Sequence, residues 1–293
     1  MSRVAVLGLG AMGLPMATRL AACGFEVAAF DVAAERVGLA VAAGAVAAAS
    51  PAAAAEGADV VLVGVRDGAQ LEAALFADDG AAATLAPGAV VVVTSTVGAE
   101  AVQEAADRLD AAVVDAPVSG GPVRAGEGTL LIMVGGAGDD VAAARPVLDA
   151  LASTVTVAGP RVGDGQLLKT VNQLLCGVHT AAAAEALALA HALGLDLDAT
   201  IDVLGRGAAA SFMLADRGPR IAQRLRGGTP ELRSRLDVIA KDMGIVGALT
   251  RRARVATPVA AAAEQLYRLG MAADLAAEDD SVVATLLEDR WDP

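Results

Sequence analysis

Residues 4–20 read VAVLGLGAMGLPMATRL, and this stretch decides the fold of the first half of the chain. A short apolar run with strand character leads into a helical pattern, and Gly8, Gly10 and Gly13 stand between them. The first glycine of a G-x-G-x-x-G motif permits a tight turn, the second lets a ligand approach the backbone, and the third allows close packing of helix on strand. The motif alone is weak evidence in a chain rich in Ala and Gly, but the strand before it and the helix after it strengthen the interpretation.

The alternation of strand and helix continues to about residue 160. Short β-branched runs, bounded by Gly, Pro or Asp, are separated by Ala-rich segments with helical spacing. Such alternation predicts βαβ units and therefore an α/β, Rossmann-type doubly wound sheet that is mostly parallel. The strand candidates are residues 4–9, 26–31, 59–65, 89–95, 111–117, 129–136 and 153–159.

Beyond residue 160 the strand pattern stops and long helical patterns follow. We therefore expect two domains: an α/β domain over residues 1–162 and an all-α domain over residues 163–293, joined by a long helix at residues 165–193. Gly and Pro residues separate the later helical patterns. These patterns cover residues 198–204, 213–225, 234–250, 258–269 and 278–288.

Composition argues against several classes of function. The net charge of −13 is unfavourable for a surface that binds nucleic acid or an anionic membrane. The most apolar run, residues 174–193, contains two His and one Glu, so we interpret it as a buried helix rather than a membrane span. No secretory signal pattern precedes the first strand, and Cys23 and Cys176 have no pairing or cluster spacing. We expect a cytoplasmic protein without disulfides or a metal site.

The glycine-rich loop predicts a dinucleotide site. A helix that starts at the loop offers free N–H groups and a positive dipole end to a pyrophosphate. Asp31 ends the second strand candidate about 20 residues later, where a carboxylate binds the adenosine ribose hydroxyls and repels a 2′-phosphate. Val32 follows Asp31 where an Arg would bind a 2′-phosphate, so NAD is the expected cofactor and NADP is the alternative. A separate alternative is that Asp31 binds no cofactor and only caps the next helix. The predicted loop residues are Gly8, Leu9, Gly10, Ala11, Met12 and Gly13.

Two further loops follow strand candidates at the edge where a doubly wound sheet binds its ligands. The sequence GVRD follows DVVLV and contains Val65, and TSTV follows AVVVV and contains Thr96. We predict that both loops contact the cofactor. Thr96 can direct a hydroxyl and a backbone N–H toward the nicotinamide ribose, or it can cap the helix that begins near Ala99, and the sequence leaves both interpretations open.

Residues 115–122, DAPVSGGP, follow the strand candidate AAVVD. Small residues there leave backbone N–H groups accessible beside the Ser119 hydroxyl, a set of donors that suits a carboxylate or hydroxy-acid anion. The predicted substrate loop therefore contains Ser119, Gly120 and Gly121. An ordinary Gly/Pro turn is the alternative.

Residues 163–177, GDGQLLKTVNQLLCG, contain a lysine in a chain that otherwise uses arginine. Of the 22 basic residues 20 are Arg, and the two lysines are Lys169 and Lys241. Oxidation of an alcohol by hydride transfer requires that a proton be moved at the oxygen; Lys can do this because burial lowers its pKa, whereas Arg stays protonated. Asn172 lies about one helical turn further on, where its amide can bind a substrate hydroxyl or carboxylate. Chance placement of the lysines is the alternative, but it does not explain the pattern G-x-G-x-x-x-K-x-x-N.

Four ordered motifs resemble those of the β-hydroxyacid dehydrogenases, a family that includes 3-hydroxyisobutyrate dehydrogenase and tartronate semialdehyde reductase. They are GLGAMGLPMA, DAPVSGGPVRAGEGTL, GDGQLLKTVNQ and AKDMGIV, and they span almost the whole chain. The resemblance implies that Lys169 is the catalytic proton donor or acceptor and that Thr96 and Lys241 lie at the nicotinamide side of the cofactor. It also implies a substrate-binding set, which consists of Asn172, Ser119, Gly120 and Gly121.

A finer resemblance concerns the L-threonate dehydrogenase branch of that family, which VNQLLCGVHTAAAAEALALA and EDDSVV look like. Two departures affect peripheral contacts: Arg19 stands where many members have Asn, and the loop after DVVLV lacks the common Pro. His179 lies ten residues beyond Lys169, too far along a helix to share its chemistry, so we expect a core or interface residue. Phe212 and Met213 either close the substrate pocket or are simply packed.

The predicted function is the NAD(P)-dependent oxidation of a small hydroxy acid, L-threonate-like or 3-hydroxyisobutyrate-like. An imine reductase on the same scaffold is an alternative, but such enzymes usually lack the lysine. A non-catalytic cofactor-binding protein is another, but it predicts a broken Lys, Asn and Ser set. The Ala-rich helices need partners for their apolar faces and family members are usually dimers or tetramers, so a homodimer or homotetramer is expected.

Overall fold

The computed structural model describes residues 2–287, which form two compact units divided after Lys169. The predicted boundary between residues 162 and 163 stays a prediction. One long helix, α8, Asp164–Ala192, contains residues of both units, because its first six residues belong to the first unit.

A single sheet forms the centre of the first unit. Its nine described strands have the order β3-β2-β1-β4-β5-β6-β8-β7, and β9 pairs with β8. The strands are β1 Arg3–Leu7, β2 Glu26–Phe30, β3 Val46–Ala47, β4 Val60–Val63, β5 Val90–Val93, β6 Ala112–Asp115, β7 Val118–Ser119, β8 Leu130–Gly135 and β9 Ala152–Gly159.

The sheet is parallel from β3 to β6, and β8 and β9 are parallel to each other. The strand β8 runs antiparallel to β6 and β7. The predicted mostly parallel, doubly wound α/β sheet is therefore confirmed. The strands β3 and β7 were not predicted, because two residues are too few to show a periodicity.

Apolar side chains cover both faces of the sheet. Along β1, Val4 and Val6 join a buried cluster on one face. Ala5 and Leu7 join a second cluster on the other face. Successive strand residues point to opposite faces, so a near-continuous apolar strand needs helices on both sides. These helices are α1 Gly13–Ala22, α2 Ala34–Ala42, α3 Pro51–Ala55, α4 Gly68–Phe76, α5 Ala99–Arg108, α6 Gly121–Glu127 and α7 Gly138–Leu151, with a 3₁₀ helix at Ala81–Ala83.

The carboxyl ends of the central strands lie in register. Leu7 of β1 pairs with Val63 of β4, Val63 with Val93 of β5, and Val93 with Asp115 of β6. The loops that follow these strands therefore emerge side by side at one edge of the sheet, where doubly wound folds bind ligands.

The second unit is helical, as predicted. Its core includes Leu187, Ile221 and Tyr267, all completely buried. The helix predicted at residues 278–288 is a 3₁₀ helix over Asp280–Leu286, and Glu288 lies outside the described residues. The remaining helices are α9 Leu197–Gly205, α10 Phe212–Leu225, α11 Leu236–Ala253 and α12 Pro258–Ala272.

A buried ionic cluster holds the 3₁₀ helix of the second unit against α10. Arg217 donates to Asp280 at 2.9 Å, and Arg220 donates to Asp279 at 3.0 Å. Burial raises the pKa of Asp280, and the charge of Arg217 opposes this shift. This is the structural role of the EDDSVV sequence, because removal of one member would leave an uncompensated buried charge.

Among the described helices, α8 alone is long and apolar enough to cross a membrane by length and composition. About 44% of its most apolar window is buried within the protein. A core helix of a soluble protein passes the same test, so these two properties do not assign the helix to a membrane.

Candidate active site

The glycine-rich loop contains two glycines that the fold needs and one that leaves open space. Gly8 has φ of 90°, and a Cβ there would meet the Gly64 carbonyl oxygen at 2.5 Å. A Cβ on Gly13 would lie 1.9 Å from the Gly8 carbonyl oxygen. A Cβ on Gly10, in contrast, would have no protein atom within 4 Å. The turn and the helix contact therefore depend on Gly8 and Gly13, whereas Gly10 leaves room for a ligand against the backbone.

Asp31 connects the end of β2 to this loop. Its Oδ2 accepts a hydrogen bond from the Leu9 N–H at 2.6 Å, and its Oδ1 accepts one from the Ala33 N–H at 2.8 Å. An ionised carboxylate has about four acceptor positions, so capacity remains for ribose hydroxyls. The N-cap position of α2 is Ala33 rather than Asp31, and Val32 is 95% exposed. The proposed ribose contact thus has a fixed carboxylate and no arginine directly after it.

The loops after β4 and β5 are joined to each other. The Val65 N–H donates to the Ser95 hydroxyl at 2.7 Å, and the Thr94 hydroxyl donates to the Val63 carbonyl at 3.0 Å. Thr96 follows directly in the second loop. The N-cap position of α5 is Gly98 rather than Thr96. Val65 and Thr96 therefore lie on adjoining loops at the ligand edge, while their cofactor contacts stay predictions.

Gln166 of α8 fixes the loop that contains Thr96. Its Oε1 accepts hydrogen bonds from the Val97 and Gly98 N–H groups, each at 3.1 Å. Its Nε2 donates to the Ser95 carbonyl at 2.9 Å. The Gln166 side chain is completely buried. One side chain thus satisfies three backbone groups of a loop at the ligand edge.

Asp115 anchors the beginning of α8 to the end of β6. Its carboxylate accepts hydrogen bonds from the Gly163 N–H at 2.8 Å and the Gln166 N–H at 2.7 Å. These are groups at the start of a helix, where backbone donors have no partner within the helix. Burial raises the pKa of Asp115 to about 6, and the two backbone hydrogen bonds oppose the rise.

Glycines allow this close approach of α8 to the sheet. A Cβ on Gly165 would lie 2.5 Å from the Met133 carbonyl oxygen. Gly163 has φ of 100°, and a Cβ there would meet the Gln103 side chain at 2.7 Å. The two glycines of G-x-G-x-x-x-K thus bring the helix start against neighbouring chain segments rather than leaving it open.

The predicted substrate loop begins at the end of β7. Gly120 has φ of 137° and Gly121 has φ of 75°, so both adopt backbone conformations that favour glycine. A Cβ on Gly121 would have no neighbour within 4 Å. Among the described residues, the Ser119 hydroxyl has no hydrogen-bond partner. The loop therefore has an available hydroxyl beside open backbone.

Lys169 lies on the part of α8 that belongs to the first unit, one turn after Gln166. It is 6% exposed. The hydrogen bonds of Gln166 and Asp115 fix the helix backbone at Lys169 relative to the loops after β5 and β6. The role of Lys169 in proton transfer stays a prediction.

The other predicted residues belong to the second unit. Asn172 is half-buried on α8, and Lys241 lies on α11 with its ammonium nitrogen 3.0 Å from the Asp242 carboxylate. Phe212 is 64% exposed at the start of α10, whereas its neighbour Met213 is buried. Phe212 is therefore not a packing residue within its unit. His179 is half-buried, and its role stays open.

Among the described residues, no second functional site is supported, either by a group of metal ligands or by the cavity of the second unit. The part of the chain that the structure describes has no group of three or more His, Cys, Asp or Glu that could hold a metal ion. A cavity of about 500 Å³ between α11 and α12 is lined by Met243, Arg251, Thr257 and other residues. None of the predicted site residues lines it, so we assign it no part of the predicted chemistry.

The sequence reasoning missed four polar residues that hold the predicted ones. They are Asp115, Gln166, Gln173 and Asp242. Each stands beside or within a quoted motif, so proximity was an available indication. Each of them also has a hydrogen-bond partner that is distant in sequence, however, and only the fold shows these bonds.

Two family models match the chain. The model described as the NAD binding domain of 6-phosphogluconate dehydrogenase matches residues 3–159, and the one described as "NAD-binding of NADP-dependent 3-hydroxyisobutyrate dehydrogenase" matches residues 163–287. L-threonate dehydrogenase of Cupriavidus necator is 41% identical over 287 residues, which are 97% of this chain and 95% of that relative. The chain belongs to the β-hydroxyacid dehydrogenase family.

Further members are similar over their full lengths. NAD-dependent L-serine dehydrogenase of Pseudomonas aeruginosa is 36% identical, with 98% of each chain covered. The crystal structure of 3-hydroxyisobutyrate dehydrogenase from Salmonella typhimurium has a TM-score of 0.89 and 35% identity, and the match covers 98% of this chain and 100% of that one. This β-hydroxyacid dehydrogenase is accordingly an NAD(P)-dependent oxidoreductase that acts on a CH–OH group of a small molecule.

The first unit fits a dinucleotide on its own geometry. A Cβ at Gly10 would fill space that the protein leaves open beside the turn, and Asp31 holds its carboxylate at the end of β2. We expect residues 8–13 to face the pyrophosphate and Asp31 to face the adenosine ribose. When bound, the nicotinamide supplies the hydride acceptor.

Proposed function

We propose that this enzyme oxidises the alcohol of a small L-threonate-like hydroxy acid, with NAD⁺ as the preferred hydride acceptor and Lys169 as the residue that takes the hydroxyl proton. The observation that carries the proposal is the buried Lys169, one turn after a glutamine that fixes the loop following β5. Support for the substrate class comes from the 41% identity to an L-threonate dehydrogenase.

Each residue has one task in the proposed mechanism. Lys169 accepts the proton as the carbon loses its hydride, because an alkoxide is a much better hydride donor than an alcohol. Backbone N–H groups and the Ser119 hydroxyl of the substrate loop bind the carboxylate. Asn172 binds a hydroxyl, and Thr96 and Lys241 face the nicotinamide side.

The preference for NAD has its own support. Asp31 accepts two backbone hydrogen bonds that fix its carboxylate, and a fixed negative charge disfavours a 2′-phosphate. The comparison of kcat/KM with NAD and NADP tests this part. A clear preference for NADP would contradict the role given to Asp31.

The substrate is identified with a panel of hydroxy acids of three and four carbons, which includes L-threonate, 3-hydroxyisobutyrate, glycerate and L-serine. Formation of reduced nicotinamide is followed by absorbance. We expect the highest kcat/KM with L-threonate or a close analogue, and L-serine is included because a relative is named for it. No turnover of any hydroxy acid would refute the proposed function.

The role of Lys169 is tested with Lys169→Ala and Lys169→Arg. Both variants should lower kcat by about 100-fold or more, since Ala has no basic group and Arg stays protonated and cannot accept the hydroxyl proton. NAD affinity should stay within about threefold, as judged by calorimetric titration. Turnover close to wild type in Lys169→Ala would refute the assignment.

We also propose that the enzyme is a cytoplasmic homodimer or homotetramer. Leu168, Val171 and Leu175 are exposed at helical spacing on α8, and such an apolar stripe favours burial against another copy. Light scattering coupled to size-exclusion chromatography measures the mass, and a monomer would contradict the proposal. The free thiols Cys23 and Cys176 are compatible with a reducing compartment, which cell fractionation tests.

A further inference from the structure

We propose that Gln173 and Asp242 are positioning residues that turn the amide of Asn172 so that it offers only its oxygen to a ligand. Asn172 then accepts a hydrogen bond from a substrate hydroxyl and does not bind the carboxylate. This inference deepens the proposed function and rests on it for the identity of the ligand.

The three side chains form a continuous set of hydrogen bonds within the second unit. Asn172 Nδ2 donates to Gln173 Oε1 at 2.9 Å. Gln173 Nε2 donates to Asp242 Oδ2 at 2.6 Å. Asp242 is 5% exposed, so water does not compete freely for its carboxylate.

The direction of these bonds follows from the chemistry of Asp242. Lys241 Nζ lies 3.0 Å from Asp242 Oδ1, so a cation faces the second oxygen. An ionised carboxylate only accepts hydrogen bonds. Gln173 must therefore turn its NH₂ group toward Asp242, which leaves its oxygen for Asn172.

Asn172 must in turn present its NH₂ group to Gln173. The same nitrogen also donates to Cys176 Sγ at 3.5 Å, so both hydrogens are used within the helix. Among the described residues of this unit, Asn172 Oδ1 has no hydrogen-bond partner. The oxygen is therefore the group that Asn172 has available.

A close helix crossing keeps the set together. A Cβ on Gly177 would lie 2.2 Å from Met243 Sδ, so α8 and α11 approach at a position without a side chain. Gly177 is one turn beyond Gln173, and Met243 directly follows Asp242. The crossing explains why a residue of α8 reaches a carboxylate on α11.

An amide oxygen distinguishes between the groups of a hydroxy acid. The amide oxygen accepts a hydrogen bond from a hydroxyl. A carboxylate at the same place would bring a second acceptor against the amide oxygen, with no hydrogen to form a bond between them. The site would thus favour acids with a hydroxyl at this position over analogues without it. The carboxylate must be bound by donors elsewhere.

Asp242→Asn tests the direction of the bonds, because Lys241 decides how the new amide turns. The oxygen of the new asparagine should face the Lys241 ammonium, which turns the new NH₂ group toward Gln173. The Gln173 amide must then turn its oxygen toward residue 242 and its NH₂ group toward Asn172. Asn172 would in turn accept from Gln173 and present its NH₂ group to the ligand. We expect kcat/KM for the hydroxy acid to fall by about tenfold to a hundredfold, mainly through KM. The inhibition constant of the matching deoxy acid should change by less than about threefold.

The double variant Gln173→Glu with Asp242→Asn is the matched control. Its new carboxylate can accept from both Asn172 Nδ2 and the new asparagine, so Asn172 keeps its original direction. We expect kcat/KM to return to within about threefold of wild type. Failure of the double variant to recover, while it unfolds at the wild-type temperature, would overturn the proposal.

A measurement without substrate separates this proposal from the proposed function. In ¹H–¹⁵N spectra of the free protein, the Asn172 side-chain amide is identified by its loss in Asn172→Asp. Its hydrogens should exchange slowly in wild type and in the double variant, and faster in Asp242→Asn. Should Asp242→Asn not fold, Gln173→Met removes the same acceptor and should show the same fast exchange.

The outcomes are distinguishable. Slow exchange in wild type together with no turnover of any hydroxy acid would refute the proposed function and leave the amide orientation standing. Turnover of hydroxy acids together with unchanged exchange and unchanged KM in Asp242→Asn would refute the orientation alone.

Discussion

Substitution of single glycines in the nucleotide loop separates the requirements of the fold from those of the ligand. A Cβ on Gly13 would meet the Gly8 carbonyl oxygen at 1.9 Å, which is backbone and cannot move aside without distorting the turn. A Cβ on Gly10 would meet no protein atom within 4 Å, and its φ lies outside the left-handed region. Gly13→Ala should therefore damage the fold, and Gly10→Ala should damage only nucleotide binding.

The expected magnitudes follow from these distances. Overpacking against a rigid group costs about 1–3 kcal/mol, and a backbone clash lies at or above the upper end, so we expect Gly13→Ala to lose about 3 kcal/mol of stability. For a chain of this size that corresponds to a decrease in Tm of about 6–12 °C. Gly10→Ala should change stability by less than about 1 kcal/mol, in the stabilising direction, because Ala restricts the unfolded chain.

Nucleotide affinity should respond in the opposite order. The methyl group of Gly10→Ala would occupy the space left for the pyrophosphate, and an overpacking cost of about 1–3 kcal/mol corresponds to a rise in Kd of about 5-fold to 150-fold. Gly38→Ala is the matched control, since Gly38 lies within α2 and a Cβ there also meets nothing within 4 Å. It should keep the wild-type Kd and gain slightly in stability.

Two measurements decide the matter. Thermal unfolding by circular dichroism gives Tm without nucleotide, and calorimetric titration with NAD gives Kd at a temperature where every variant is folded. The reasoning is refuted if Gly10→Ala binds NAD as tightly as Gly38→Ala, or if Gly10→Ala unfolds as early as Gly13→Ala.

Three further predictions concern residues of the first unit. Gln166→Leu leaves three backbone groups at residues 95–98 unpaired and should lower the free energy of unfolding by about 2–4 kcal/mol in urea denaturation. Gln103→Leu, which loses one exposed hydrogen bond, should cost less than about 0.5 kcal/mol; equal losses would contradict the role of Gln166. The pKa of Asp115 is raised to about 6 from 3.8, so the folded state binds a proton more tightly than the unfolded state, and this contribution to stability is lost as pH rises from about 4 to 6. The free energy of unfolding of Asp115→Asn, measured by denaturation at several pH values, should therefore rise by about 3 kcal/mol relative to that of wild type over this pH range. A difference between the two proteins that does not change with pH would contradict the shift of the Asp115 pKa. Asp31→Asn keeps the shape but removes the charge, and it should lower the ratio of kcat/KM for NAD over NADP by about tenfold or more; an unchanged ratio would exclude Asp31 from cofactor choice.

Local patterns were sufficient for the fold class and for most elements. The central strands were predictable because β-branched runs buried on both faces stand out from Ala-rich helices. The helix predicted at residues 165–193 is Asp164–Ala192 in the structure. The prediction was accurate because a hydrophobic pattern with a period of 3.6 residues that continues over so many residues fits few structures other than a helix. The end of the described chain differed: Asp279 and Asp280 hold a 3₁₀ helix through Arg217 and the buried Arg220 of α10, a distant interaction without a local pattern.

The sequence by itself determined which chemistry is available: a glycine loop and an acid for a dinucleotide, a Ser/Gly/Gly loop for an anion, and a lysine where arginine would be inert. It did so because turn geometry, helical spacing and proton affinity are properties of residue type and short-range order. Only the tertiary structure decided which polar groups hold these residues. Asp115 and Gln166 fix the start of α8, and Gln173 with Asp242 turns Asn172, because buried donors and acceptors must find partners wherever the folded chain brings them.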